Sequence, residues 1–194
     1  MTWITTIKPD EASGELKSLY EDAEAEDGIV DGLLMAHALR PHTLAGHMAL
    51  YRSIFHHPGN KLPSWILDVV GVYTSLVNGC PYCVEYCYAA LREQLDDDDR
   101  AAQIRTALEA GLPQTALAEK YVAAAHYAEK LARSPRAVGK MDIDALRHAG
   151  FDDGEILEIN QVVSYFSYVN RTILGLGVSE DSLISRGPYA EKKS

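Results

Sequence analysis

The chain has 194 residues, 47% of them hydrophobic, which is ample for one well-buried core. Its formal net charge of −10 argues against nucleic acid or an anionic membrane surface as the main partner. No run of 18 or more apolar residues is present to span a bilayer, and the opening MTWITTIKPDEASGEL carries no basic region followed by an apolar stretch. No secretory signal is therefore expected, and the expected location is the cytoplasm.

The reading is helical nearly throughout: an all-α bundle of about eight helices, forming one domain over residues 1–194. An irregular segment at 1–10 leads into DEASGELKSLYEDAEAE, whose acidic start suits the positive end of a helix dipole. Gly28 and Gly32 bracket a loop before the short apolar stretch LLMAHAL. Pro41 opens a helix with Leu44, Met48, Tyr51 and Phe55 at helical spacing. LPSWILDVVGVYTSLV forms the next helix, ending at Asn78-Gly79, and CPYCVEYCYAALREQL follows directly. The acidic run at 96–99 reads as the N-cap and solvated first turn of RAAQIRTALEAG. A long helix, QTALAEKYVAAAHYAEKLARS, then stops at Pro135. MDIDALRHAG is short and closes at Gly150, and DDGEILEINQVVSYFSYVNRTILGLG carries the stripe Ile156, Ile159, Val163, Phe166, Val169. The tail at 186–194 is expected to be loosely ordered.

All three cysteines of the chain, Cys80, Cys83 and Cys87, lie in the stretch NGCPYCVEYC. In a reducing compartment such a cluster points to reactive or metal-binding thiols, and an odd count leaves one thiol outside any disulfide scheme. On a helix starting near Cys80, at about 100° per residue, all three fall on one stripe. Cys80 then sits at or beside the N-cap and Cys83 in the first turn, where unpaired N–H groups favour a thiolate. The second thiol of the pair is placed to attack, the first to resolve or exchange. The short Asn-Gly connection predicts an antiparallel helical hairpin, which would set Asp68 opposite residues 86–89 if it faces inward. A solvated surface position for Asp68 is the competing reading.

Asp68, eleven intervening residues, C-x-x-C and a further residue four on resembles the E-x11-C-x-x-C-x-x-x-H layout of the alkyl hydroperoxidase D-like family, grouped with the carboxymuconolactone decarboxylases. SLVNGCPYCVEYC is similar to the S-x-x-N-G-C-x-Y-C-V-x-H-H of its peroxidase-related branch. The opening MTWITTIKPDEASGELKSLYE, PHTLAGHMALYRSI, YAEKLARSP and YVNRTILGLGV extend the resemblance over nearly the whole chain. It implies an all-helical fold and a homo-oligomer whose dithiol reduces a small-molecule hydroperoxide. Cys83 would attack and pass through a sulfenic acid, and Cys80 would donate the proton and close the disulfide. An external dithiol, such as a lipoylated or thioredoxin-like protein, would restore both. The family carboxylate, at Asp68, would act through a histidine.

That histidine is missing, since Tyr86 and Cys87 occupy the two positions where it is expected. A tyrosine, titrating near 10, does not take a thiol proton at neutral pH. Three readings stay open: His47, sharing a face with Tyr51, supplies the base; the helix start alone acidifies the thiol, with Cys87 an extra exchange partner; or peroxidase chemistry is lost and a redox-responsive oligomer remains. Carboxymuconolactone decarboxylase-like chemistry is a further alternative, but it needs binding cations, and none lies near the cysteines before Arg92.

Structural zinc and four-iron clusters usually take four ligands, whereas this chain offers three thiols and no nearby histidine in sequence. No metal and no cofactor are expected. His56 and His57 read as helix-end residues, His126 as a packing or interhelix residue, Tyr82, Tyr86 and Tyr88 as packing between helices, and Asn170-Arg171 as structural or interface-forming.

Overall fold

A computed structural model describes residues 2–28 and 30–179. The expected tail at 186–194 lies outside them. Nine α-helices and no strand occur among the described residues: α1 Gly14–Asp27, α2 Gly32–Ala36, α3 Pro41–Phe55, α4 Ser64–Asn78, α5 Pro81–Leu95, α6 Asp98–Glu109, α7 Glu119–Arg133, α8 Lys140–His148 and α9 Asp153–Leu176. The described residues divide into two compact units, one from 2–52 with 171–179 and one spanning Ser53–Asn170, the divide falling inside α3 and α9.

In the first unit, helical spacing puts Leu16, Tyr20 and Ala23 of α1 on one buried face, with Leu44 and Met48 of α3 and with Val30, Leu34 and Ala38 around α2. Each fully buried large aliphatic side chain contributes roughly 1.5–3 kcal/mol. Asp31 caps α2 by accepting from the Leu34 amide at 3.0 Å. The segment before α1 has no helix beyond a single 3-10 turn, Pro9–Glu11, yet it is held in place. The Trp3 amide donates to the Leu176 carbonyl at 2.8 Å, and the Tyr20 hydroxyl donates to the Ile7 carbonyl at 3.0 Å. The Trp3 indole lies on Gly177, where φ is +62° and a side chain would collide with the ring.

In the second unit α4 is central, packed on α5, α6 and α7. Residues Ile66, Leu67 and Val69–Ser75 are all buried, covering the helix on every side. The α9 stripe Ile156, Ile159, Val163, Phe166 and Val169 is buried as the spacing predicts. The acidic run divides its work between two helices. Asp96 ends α5 at φ 49°, and Asp97 caps α6 by accepting from the Arg100 amide at 2.9 Å.

Two expectations need correction. The helix expected from Gln114 begins only at Glu119, because Pro113 opens a separate 3-10 turn, Pro113–Thr115. The Leu117 amide then bonds back to the Pro113 carbonyl at 2.9 Å, which carries buried Leu117 into the core before α7 can start. His126 is exposed rather than packed: the inward face of α7 is taken by Ala124, Ala125 and Ala128.

Candidate dithiol site

The turn between α4 and α5 places the cysteines. Gly79, at φ 67°, donates its amide to the Leu76 carbonyl at 3.1 Å, and Cys80 donates to Ser75 at 3.0 Å. These two bonds are the pair expected of a Schellman motif, which uses the left-handed tolerance of glycine to end a helix. Pro81 then occupies the first position of α5, where its missing N–H costs nothing, and Cys80 is the N-cap. Cys83 therefore lies in the first turn, as expected, and α5 returns along α4.

The three thiols are buried, with Cys80, Cys83 and Cys87 at 0%, 2% and 1% exposure, and none is in a disulfide. The Cys80 and Cys83 thiols share a hydrogen bond, and Cys83 also receives one from the side chain of Asn170 on α9. Close approach of α5 to α4 depends on Gly71. A methyl group there would lie 3.0 Å from the Cys87 Sγ and 2.5 Å from the Phe166 Cε2. Phe166 in turn meets Phe55 edge-on, at 5.8 Å between ring centres.

Behind the thiols stands a polar cluster whose role the sequence did not disclose. Asn170 is fully buried; its amide donates to Ser75 Oγ at 3.2 Å, and its carbonyl accepts from Asn78 Nδ2 at 2.8 Å. One signal was present: Asn170 is four residues beyond Phe166, a polar residue in register with the apolar stripe.

The electrostatics run against the expectation that the helix start alone acidifies the thiol. The hydrogen bond to Cys80, burial, and the neighbouring Cys80 and Cys87 thiols together push the Cys83 thiol well up, against a smaller downward pull from Asn170. Burial takes a thiolate out of water, and two neighbouring thiols disfavour a further charge beside them. His47 belongs to the first unit, where its ring stacks on His37 at 5.4 Å. Burial, then the charge of His37, lower it to about 4, which makes it a weak base. Asp68 is half-buried on α4, three residues before Gly71. Around the cysteines, Tyr82 is buried, Tyr86 half-buried, and Tyr88 lies under the Arg105 guanidinium at 4.6 Å. Arg105 pairs with Glu85 and Glu109, and Arg92 with Asp98, so both cations of this region are engaged in ion pairs. Among the described residues no group of three or more His, Cys, Asp or Glu side chains is arranged to hold a metal ion. No helix among them is long and apolar enough to cross a membrane.

No protein-family model matches the chain, and no curated protein does. Solved structures do. With a TM-score of 0.80 and 21% identity, 92% of this chain matches 91% of an uncharacterised peroxidase-related protein from Ralstonia eutropha JMP134, described as an alkylhydroperoxidase AhpD core. The chain has the alkylhydroperoxidase D-like fold. A peroxidase-related protein from Silicibacter sp. TM1040 matches over the same shares of the two chains at 0.79 and 22%. So does a variant of the debrominase Bmp8 in complex with 2,3,4-tribromopyrrole, at 0.75 and 16% identity. The AhpD-like fold is thus shared by peroxidase-related proteins and a debrominase.

Proposed function

We propose that this protein is a thiol-dependent oxidoreductase that reduces hydroperoxides through the Cys80–Cys83 pair. The observation that carries the reading is the hydrogen bond between these two thiols at the start of α5 in an AhpD-like fold. The Cys83 thiolate attacks the terminal oxygen of the hydroperoxide, and the O–O bond breaks. The departing alkoxide takes a proton and leaves as the alcohol, while Cys83 becomes a sulfenic acid. Cys80 attacks that sulfur, water leaves and the disulfide closes. An external dithiol, lipoylated or thioredoxin-like, returns two electrons and two protons.

Cys80 is already in hydrogen-bond contact with Cys83, so disulfide closure needs little movement. His47, with a value of about 4, is not assigned the base. Asp68 remains the carboxylate matched by the family layout, and Cys87 packs against Gly71 rather than turning over.

A second reading is favoured by the match to debrominase Bmp8 over 92% of this chain. Two thiols also supply the electrons to replace a carbon–bromine bond by carbon–hydrogen, releasing bromide and a proton and leaving the same disulfide. The test is to treat reduced protein with one equivalent of an alkyl hydroperoxide or of a bromopyrrole, quench at intervals with an alkylating agent, and map each cysteine by mass spectrometry. A Cys80–Cys83 disulfide formed within seconds by the hydroperoxide supports the first reading; one formed only with the bromopyrrole, with bromide released, supports the second. Thiols that react with either no faster than free cysteine would remove both readings and leave a non-catalytic redox-responsive oligomer.

A further inference from the structure

Cys80 and Cys83 are closed off from solvent, at 0% and 2% exposure, yet they lie just under the surface. Gly79 and Pro81, on either side of Cys80, are exposed, and Asn78 is half-buried. Beside the thiols runs a seam between α4 and α9. Gly71, Ser75 and Asn78 stand at i, i+4 and i+7 along α4, and Phe166 and Asn170 at i and i+4 along α9. At one end of the seam the Phe166 ring and the Cys87 sulfur both press on Gly71. Phe55 and Tyr165 hold that ring edge-on, at 5.8 and 5.2 Å between ring centres. At the other end the contact is polar: the Asn170 amide donates to Ser75 Oγ at 3.2 Å, and its carbonyl accepts from Asn78 Nδ2 at 2.8 Å. The Ser75 carbonyl accepts from the Cys80 amide at 3.0 Å, which joins this end to the dithiol.

The two ends differ in what parting them costs. Drawing Phe166 away from Gly71 and its aromatic partners exposes apolar surface to water, which is unfavourable in proportion to its area. Drawing Asn170 away from Asn78 and Ser75 lets water replace each hydrogen bond, so the net loss is modest. From this geometry we infer that the bonds of Asn170 to Asn78 and Ser75 form a latch over the dithiol, and that reagents reach Cys80 and Cys83 by its local opening rather than by unfolding of the chain. Cys87, at the aromatic end, stays shut when the latch opens. Three thiols on one helical stripe are thereby sorted by their distance from a single polar contact. The inference concerns access to the thiols, whatever reaction they then perform.

The experiment uses the reduced full chain and excess iodoacetamide, which caps a thiolate with loss of iodide. Each cysteine is followed by mass spectrometry at urea concentrations below the unfolding transition. Local opening exposes little surface, so the Cys80 and Cys83 rates are expected to be slower than in the urea-unfolded chain and nearly independent of urea. The Cys87 rate is expected to climb with urea in step with unfolding. Asn78→Ala, at a half-buried helix end, is expected to raise the Cys80 and Cys83 rates together by about tenfold and to leave Cys87 in place. Leu146→Ala, in the core of α8, lowers global stability without touching the latch and is expected to raise only Cys87. The urea dependence of the unsubstituted protein decides the matter even if a variant fails to fold. Cys80 and Cys83 rates that climb with urea as Cys87 does, that match the unfolded chain, or that ignore Asn78→Ala in folded protein would overturn the inference. A latch that opens in a protein consuming no hydroperoxide would uphold it while removing the proposed reaction.

Discussion

Cys83 begins with its thiol pushed up by its partner thiol, by burial and by Cys87, so the Cys83 thiol is protonated at neutral pH. The rate of Cys83 oxidation by hydroperoxide is then expected to climb about tenfold per pH unit between about pH 7 and about pH 9, following the thiolate fraction. A stopped-flow pH profile checks this, and a plateau below pH 7 would contradict it. Cys83→Ser is expected to abolish the reaction, whereas Cys87→Ala keeps it, since Cys87 fills space against Gly71. His47 carries a different consequence. Its value of about 4 in the fold lies below the ordinary 6.5, so the unfolded chain binds a proton there before the native chain does. Stability is thus present in full above pH 6.5 and is lost as pH falls toward 4, by an order of about 3 kcal/mol. Urea unfolding at about pH 7 and about pH 4.5 is expected to show that loss, and His47→Gln to reduce it, His37 supplying a residual slope.

Two helix glycines, Gly71 and Gly46, call for opposite outcomes from the same substitution. Alanine is intrinsically the better helix residue by about 1 kcal/mol. At Gly46, in α3, a Cβ meets nothing within 4 Å, so Gly46→Ala is expected to raise stability by up to that amount. At Gly71 the added methyl would meet Phe166 and Cys87, so Gly71→Ala is expected to lower stability by about 1–3 kcal/mol despite the better propensity. Thermal melts of the two variants decide the matter. The cysteine helix was legible in sequence because Asn78-Gly79-Cys80-Pro81 carries both a stop and a start signal. The late start of α7 was not, because alanine and leucine at 116–118 read as helical while the Pro113 turn and the burial of Leu117 override them.

Taken over the whole molecule, the titrating groups bound a plateau of stability. On the acid side His47 and His37 are both lowered. On the alkaline side Cys83 is raised, and burial pushes Tyr20 and Tyr73 up to about 12. For these raised groups the unfolded chain loses its protons first, so stability declines as pH climbs past the ordinary 9.0 of the thiol and then 10.0 of the phenols. The melting temperature is expected to be highest between about pH 6.5 and about pH 8.5 and to fall on both sides, with Cys83→Ser flattening the alkaline limb. Leu157 and Tyr168, exposed on α9 and eleven residues apart, share a helix face. Sedimentation is expected to give a mass above the 21.3 kDa of one chain, and a monomer would remove the oligomer from the proposed reading.

Sequence by itself determined the helical class, the hairpin that carries the thiols and the placement of Cys80 and Cys83 at a helix start, because these depend on local spacing, on Gly79 and on Pro81. It also showed that the expected histidine is absent. Tertiary structure decided what surrounds the thiols. Asn170 lies 87 residues beyond Cys83 in the chain and reaches it only because α9 packs back beside α4 and α5. The direction in which the Cys83 thiol moves was likewise beyond the sequence, since burial and the mutual contact of three thiols arise only once the helices have packed.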